Sequence, residues 1–581
     1  MILRFRSKSG MARIQTEPTS PISEAVESAR AHFGLAGDFY VSDSPSNKGI
    51  LASELNDTVG NMGLSNGALL YITEVPVPGD AQTTGNPEAG GYAHVTSTNS
   101  TTGANATTTK KAAKNANNAN TTAEPAVNAP PFAATGPDAQ SFPVDAELDR
   151  AEGLIPRSRS ALCRHGDRGM CEYCSPLPPW DLAYLAEHGI KHQSFWAHVK
   201  ERQHLTPNSV APLDVPDYRV RPCNSGHAPY PAGICSQCQP APITLQQQSF
   251  RMVDHVEFAD HAVMDRFLDA WRRSGAQRYG VMYGRYEPFD QVPLGIKAVV
   301  EAIYEPPQAD EADGITLLEW ENQAQVDQVA QSLGLVPVGA VFTDLTDSGA
   351  RDGSVLCKRH KDSFFLSGVE VAMAARNQIL HAAACRHSST GRFSSKFVTC
   401  VITGNTKGEI EPRAYQVSAS AEALIAADLI CPSTQPSQVW INPTEGKRYV
   451  PDVFYTRINE YGLQVKTNAK PSFPIDYLLV TLSDGFPVQP TPMFTQRFPV
   501  ENRAFVGEAP DLRSVRSQVE GGTDSLADFH LLVHIRGMDI LADSEFALLV
   551  EYVRNRKEED YVRLAETGGW MTLLTILEQS T

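Results

Sequence analysis

Eight residues stand out for what they could hold. Cys163-x-His165 is followed by Cys171-x2-Cys174, and Cys223-x3-His227 is followed by Cys235-x2-Cys238. Each set has three cysteines and one histidine, closed by a tight Cys-x-x-Cys knuckle. Zinc takes four N/S donors at tetrahedral corners, and spacings this short let one small loop supply all four. Two complete Cys₃His sets leave no position for a catalytic water, so the expected cofactor is two structural zinc ions. Six of the ten cysteines lie between 163 and 238, which argues against scattered free thiols. His188, His192 and His198 compete with His165 for the first site, and Cys-x-His favours His165 by presenting two donors in one turn. Iron is the minor alternative to zinc.

Other sites are weaker. His530-x3-His534 has metalloprotease spacing, but Leu531 stands where the glutamate belongs, and Phe529 to Ile535 reads as a strand. His381, Cys385 and His387 cluster without a fourth donor. Gly404-Asn405-Thr406-Lys407-Gly408 lacks phosphate-loop spacing and reads as a hairpin turn. Cys357, Cys400 and Cys431 show no neighbouring base, so no cysteine nucleophile is assigned.

The elements that position these residues follow from composition and period. The chain has 581 residues, enough for about four domains. Its 41% hydrophobic content excludes a wholly disordered chain, and a net charge of −17 makes a poor general partner for nucleic acid or an anionic membrane. Arg4, Arg6 and Lys8 break any apolar run near the start, and no run of about 18 apolar residues occurs anywhere. A reducing compartment is therefore the default reading, in which cysteines are metal ligands or core residues rather than disulfides.

Residues 1–77 read as strand-strand-helix-strand-strand. Two short strands come first, then Ile22, Ala25, Val26, Ala29 and Phe33 at helical spacing, then Phe39 to Val41, then an Asn66-Gly67 turn leading into a last strand. Residues 78–142 are built from Thr, Asn, Ala, Gly and Pro and cannot bury enough apolar area to fold; they read as a flexible tether. Residues 150–245 hold the metal loops. Residues 246–470 alternate strands and helices, with strands at 278–284 and 397–403 and helices around Ala262 to Trp271, Gln325 to Leu333 and Gly368 to Leu380. Residues 471–581 end in helices, one with Asp543 as its cap and Phe546, Leu549, Val550 and Val553 along one side.

The order and size of the first segment resemble the β-grasp fold of ubiquitin-like domains. With the paired Cys₃His loops and two stretches, Phe250-Arg251-Met252-Val253-Asp254-His255-Val256-Glu257-Phe258 and Gln277-Arg278-Tyr279-Gly280-Val281-Met282-Tyr283-Gly284-Arg285-Tyr286, nearly the whole chain resembles the nuclear protein localization protein 4 family. Those members are ubiquitin-binding adaptors of the valosin-containing AAA+ ATPase. The resemblance implies an α+β multidomain chain: a ubiquitin-like (UBX-like) β-grasp domain, a zinc-loop module with two structural sites, an MPN (JAMM-like) α/β domain and a C-terminal α+β domain.

Active MPN enzymes hold zinc with a His-x-His pair and the Asp of a downstream Ser-x2-Asp, and a Glu activates the bound water. Here Phe342 and Asp344 stand where the histidines belong. Ser367-Gly368-Val369-Glu370 matches the downstream motif only across an insertion near 347–361, and puts Glu370 in place of the Asp. Phenylalanine cannot ligate zinc, so the resemblance implies a pseudoenzyme with no catalytic residues. It further implies docking of the ubiquitin-like domain and zinc loops on the ATPase hexamer, pairing with ubiquitin fusion degradation protein 1, and reception of lysine-48-linked polyubiquitin for extraction and proteasomal degradation, including that associated with the endoplasmic reticulum. Roles in nuclear protein import and poly(A) RNA export belong to the family, as do a cytoplasmic and nuclear location, the perinuclear region included, and peripheral association with endoplasmic-reticulum and nuclear membranes through partners. Animal members carry an additional C-terminal ubiquitin-binding zinc finger. No cysteine follows Cys431 here, so that element is expected to be missing, a layout that looks fungal. Two rivals remain: a JAMM-type deubiquitinase with a remodelled centre, and a nucleic-acid binder using Arg157, Arg159, Arg164 and Arg168 beside the first loop. The finger helix that reads a major groove is not apparent in either loop.

Overall fold

The computed structural model describes residues 2–7, 10–17, 19–33, 39–42, 50–51, 58–59, 68–74, 140–166, 169–224 and 226–579. Among them, no helix is long and apolar enough to cross a membrane. The chain is mixed α/β and divides into two compact units, one before and one after residue 119.

In the first unit, the strands Ile2–Ser7 and Gly10–Gln15 form a hairpin, and the former runs parallel to Leu69–Glu74. Phe39–Ser42 adds on antiparallel to that strand, with Ile50–Leu51 at the edge. Alternation puts Leu3 and Phe5 on one face, where the helix Ile22–Phe33 lays Ile22, Ala25, Val26 and Ala29 over them. The Asn66-Gly67 turn and almost all of the 78–142 segment lie outside the described residues.

The second unit is organised by an eight-stranded sheet. Its order is Leu479–Thr481, Ile410–Val417, Val398–Gly404, Val336–Asp344, Tyr279–Phe289, Gly295–Tyr304, His255–Phe258 and Ser483–Gly485. One short segment, 479–485, therefore supplies both edge strands. The Leu482 amide between them donates to the Ala414 carbonyl at 3.0 Å, so the sheet curls back on itself. Residues 479–485 are thus built into this sheet, while Ser472–Pro474 pairs with Gln438–Ile441 in a separate three-stranded sheet. Both faces are covered, which is why Val398-Thr399-Cys400-Val401-Ile402 is apolar at every position but Thr399. Val398, Cys400 and Ile402 join one core, while Val401 joins the other, with the helix Gly368–Leu380. The register slips at Tyr283/Gly284, where the strands come so close that a Cβ on Gly284 would sit 1.8 Å from the Val299 carbonyl oxygen. Gly404-Asn405-Thr406-Lys407-Gly408 is the turn of an antiparallel pair, as its sequence implies.

Two local expectations are corrected. Residues 529–535 are not a strand: Phe529–Gly537 is a helix, with Asp528 accepting from the Leu531 amide at its start. Six of its nine residues are buried, which blurs the helical polar stripe. Asp543 is the first residue of its helix rather than the cap; Ala542 is the cap, and its amide is met by the Glu545 carboxylate at 2.8 Å. The apolar side is as read, with Phe546, Leu549, Val550 and Val553 buried around Trp570.

Candidate metal centres and the cleft beside the central sheet

Both cysteine loops fold by the same local rules. In the first, a turn at Cys171 returns the Cys174 and Ser175 amides to the Cys171 carbonyl, at 3.0 and 2.8 Å. In the second, Cys238 and Gln239 do the same to Cys235, at 3.2 and 2.9 Å. Each knuckle amide also points at the closing sulfur, Cys171 N to Cys174 Sγ at 3.4 Å and Cys235 N to Cys238 Sγ at 3.2 Å. Each histidine ties Nδ1 to a neighbouring carbonyl, His165 to Gly166 at 2.9 Å and His227 to Ala228 at 2.7 Å. That leaves Nε2 facing the sulfurs, 3.1 Å from Cys174 Sγ and 3.6 Å from Cys238 Sγ.

The eight donors gather into two groups, Cys163, His165, Cys171 and Cys174 in one and Cys223, His227, Cys235 and Cys238 in the other. The donor atoms of each group lie within 4.8 Å of one another. Sulfur–sulfur distances of 3.7 and 3.8 Å in the first and 3.5 and 3.7 Å in the second approach the roughly 3.8 Å edge of a tetrahedron with zinc–sulfur bonds near 2.3 Å. The donor set therefore fits zinc and leaves no open corner. Backbone hydrogen bonding from Ser160 brings the Cys163 thiol down to about 6, and that from Cys238 and Gln237 brings Cys235 down to about 6. Both favour the thiolate that a metal needs. The bond to the Ala228 carbonyl, then the nearby sulfurs, push His227 up to about 9, so metal binding must displace a proton there.

The competing histidines are elsewhere. His188 stacks on Tyr184 at 3.9 Å, and His198 on Phe250 at 4.3 Å. His192 is buried, which pushes it down to about 4. Arg157 is committed inside the first loop, donating to the Ser175 and Glu172 carbonyls at 2.7 and 2.5 Å. Arg159 donates to the His165 carbonyl, so both fasten the loop. The His381, Cys385 and His387 group does not assemble: His381 bonds Asn377, and His387 pairs with Asp149. His530 meets Glu501 at 2.6 Å in the core. Among the described residues, the two cysteine loops are the only groups of metal-type donors gathered this way.

The second feature is a cavity of about 460 Å³ at the end of the strand Val336–Asp344 and the start of the helix Gly368–Leu380. Phe342, Asp344 and Glu370, the three positions singled out by the resemblance, all line it. Ser367 caps the helix: its hydroxyl accepts from the Glu370 amide, while the Glu370 carboxylate accepts from the Ser367 amide at 2.7 Å. Sequence reasoning missed the residue between them. The Arg359 side chain, 4% exposed, donates Nε to Asp344 at 2.7 Å and both terminal nitrogens to Glu370 at 2.8 and 2.6 Å. It also bonds the Phe365 carbonyl at 2.8 Å, and Lys358 reaches Asp344 at 2.9 Å. The available signal was the pair of acids at 344 and 370, which demand a cation once buried, with Lys358-Arg359 between them in the chain.

A buried charge network joins this sheet to the loop that precedes the C-terminal helices. Glu305 sits between Arg278, at 2.8 Å, and Arg503, and Arg278 also bonds the Asn502 carbonyl at 3.0 Å.

The fold and site define a multidomain α/β protein with two closed structural-metal loops set against a doubly covered sheet. Family comparison agrees region by region. Residues 278–578 match the NPL4 family model, 139–275 match that family's zinc binding region, and 1–73 match the model described as nuclear pore localisation protein NPL4. Proteins named nuclear protein localization protein 4 match over most or all of their length. That of Scheffersomyces stipitis is 51% identical over all of this chain and 99% of its own. That of Debaryomyces hansenii is 54% identical over 93% and 94%, and that of Saccharomyces cerevisiae 43% over the full length of both. The chain belongs to the NPL4 family.

Proposed function

We propose that this protein is a non-catalytic adaptor that binds polyubiquitylated substrates and an AAA+ unfoldase and delivers the former to the latter. The 2–74 unit acts as a β-grasp, ubiquitin-like domain on the ATPase. The two loops hold structural zinc and dock on the ATPase ring, and the eight-stranded region is an inactive MPN domain that receives lysine-48-linked ubiquitin chains. Ubiquitin fusion degradation protein 1 is the expected companion. The names of its relatives support a role in nuclear protein localization; on this proposal the protein works in nucleus and cytoplasm and reaches endoplasmic-reticulum and nuclear membranes through partners.

One observation carries the non-catalytic part. Where a hydrolytic zinc would need two histidines and an aspartate, the cleft offers a phenylalanine, an aspartate and a glutamate already clamped on an arginine. The donor set does not suit a catalytic metal, and no hydrolytic step is assigned to it. The adaptor part is tested by pull-down of the full chain with lysine-48-linked ubiquitin chains and with the ATPase. Binding to both with chains uncut is expected, and deletion of residues 1–77 should weaken the ATPase interaction through lost avidity. Failure to retain either partner contradicts the proposal, and chelator-sensitive chain cleavage establishes the deubiquitinase instead.

A further inference from the structure

Arg359 does more than neutralise two acids. It ties together three separate pieces of chain: Asp344 at the end of a central strand, Glu370 in the first turn of a helix, and the Phe365 carbonyl in the segment between them. Its guanidinium also lies 5.7 Å from the Phe342 ring centre and 5.1 Å from that of Phe364. An aromatic face attracts a cation, and a planar guanidinium stacks on it better than an ammonium does. The residues at positions 342, 344 and 370 thus form one consistent set. None is a histidine, two are carboxylates matched to a fork of N–H donors, and the third presents a π face. A zinc ion would reject the phenylalanine; a guanidinium accepts all three.

We infer that Arg359 is a built-in cation that replaces a metal ion at the floor of this cleft and performs its mechanical task of bolting the strand end to the helix start. The inference rests on the MPN reading for what the ancestral occupant was, but the clamp itself is defined by its contacts. Two positive groups, Lys358 and Arg359, face two negative ones, so the floor is charge-balanced without an added ion. A ligand entering the cavity meets Phe364, Val369 and Met373 beside a closed ion cluster. Arg359 is a positioning residue: it shapes this wall from beneath, with almost none of its side chain exposed.

The test uses the full chain with its structural zinc in place. Arg359→Ala should unfold at a lower temperature than the parent. Methylguanidinium at millimolar concentration should recover much of that loss, while leaving the parent and an exposed control, Arg413→Ala, unmoved. Arg359→Lys should recover only part of it, because an ammonium cannot span both carboxylates. Added Mn²⁺ or Zn²⁺ should stabilise Arg359→Ala selectively by binding the freed acids. If Arg359→Ala is insoluble, Arg359→Met combined with Asp344→Asn and Glu370→Gln removes cation and anions together and should restore a soluble chain. An unchanged unfolding temperature in Arg359→Ala, rescue that is equal in the control, or a triple variant no better than the single one would overturn the inference. None of these readouts involves ubiquitin. A chain that cleaves ubiquitin would sink the pseudoenzyme reading without touching the clamp, and failed rescue would do the reverse.

Discussion

The cysteine loops and the cleft beneath the central strand solve the same problem with different cations. Around the loops, the chain is rich in proline and turns; Leu162 and Met170 are exposed, and little apolar area is available for packing. Such segments cannot hold a shape alone, and an ion bound by four soft donors contributes on the order of 10 kcal/mol of apparent folding energy. In the cleft, Leu366, Ala374, Val401 and Ala340 are fully buried around the site. Packing already fixes strand and helix there, so one arginine fork suffices. The lesson is that a cation's identity follows the surrounding core: imported where the core is poor, supplied by the chain where it is rich.

The contrast can be broken most forcefully at the loops. Cys171→Ser or Cys235→Ser should each lower the zinc content from two to one per chain and unfold that loop, while the eight-stranded sheet stays intact. Metal analysis with amide-exchange mapping of residues 155–240 checks this; full metal content in either variant would refute the ligand assignment. Next in size, Arg359→Ala should cost about 3 kcal/mol, because two largely buried carboxylates lose their partner and only Asp344 keeps Lys358. Chemical denaturation measures it, and zinc content should not change.

Acid separates the two cations. Protons compete with zinc for thiolates and imidazoles, so metal affinity falls as pH drops. In the clamp, burial raises the Asp344 carboxyl, but the charges and hydrogen bonds of Arg359 and Lys358 together outweigh it and hold the group below the usual carboxylate range. A depressed acid stabilises the fold above its unfolded pKa, about 3.9, and that contribution is lost only as pH falls through the lower folded value. Zinc should therefore leave at a higher pH than the clamp opens, as read by a zinc-sensitive dye against amide exchange at 366–372; the reverse order would contradict the assignment. The smallest effect belongs to Ser367→Ala, which should cost about 1 kcal/mol through the lost helix cap. Because Glu370 serves both cap and clamp, its double-mutant cycle with Arg359→Ala should be non-additive.

Legibility in the sequence tracked how local the determining physics is. Cysteine knuckles, the helix Ile22–Phe33 and the Gly404 turn are set by neighbours a few residues away, and their spacing displays them. The helix Phe529–Gly537 reads as a strand in sequence because six of its nine residues, Phe529 to Val533 and Ile535, are buried, which blurs the 3.6-residue period. The double use of 479–485 at both sheet edges depends on closure of the whole sheet. Arg359 is 15 residues from Asp344 and 11 from Glu370, a triangle that only the folded chain draws.

The central claim is that this protein carries as many bound metals as it has cysteine loops and none in the cleft at the end of the strand Val336–Asp344. Elemental analysis of purified full-length chain, on the same sample incubated with lysine-48-linked ubiquitin chains, tests it most directly. The account requires two zinc ions per chain and uncut ubiquitin. A third tightly held metal together with chelator-sensitive cleavage would contradict it.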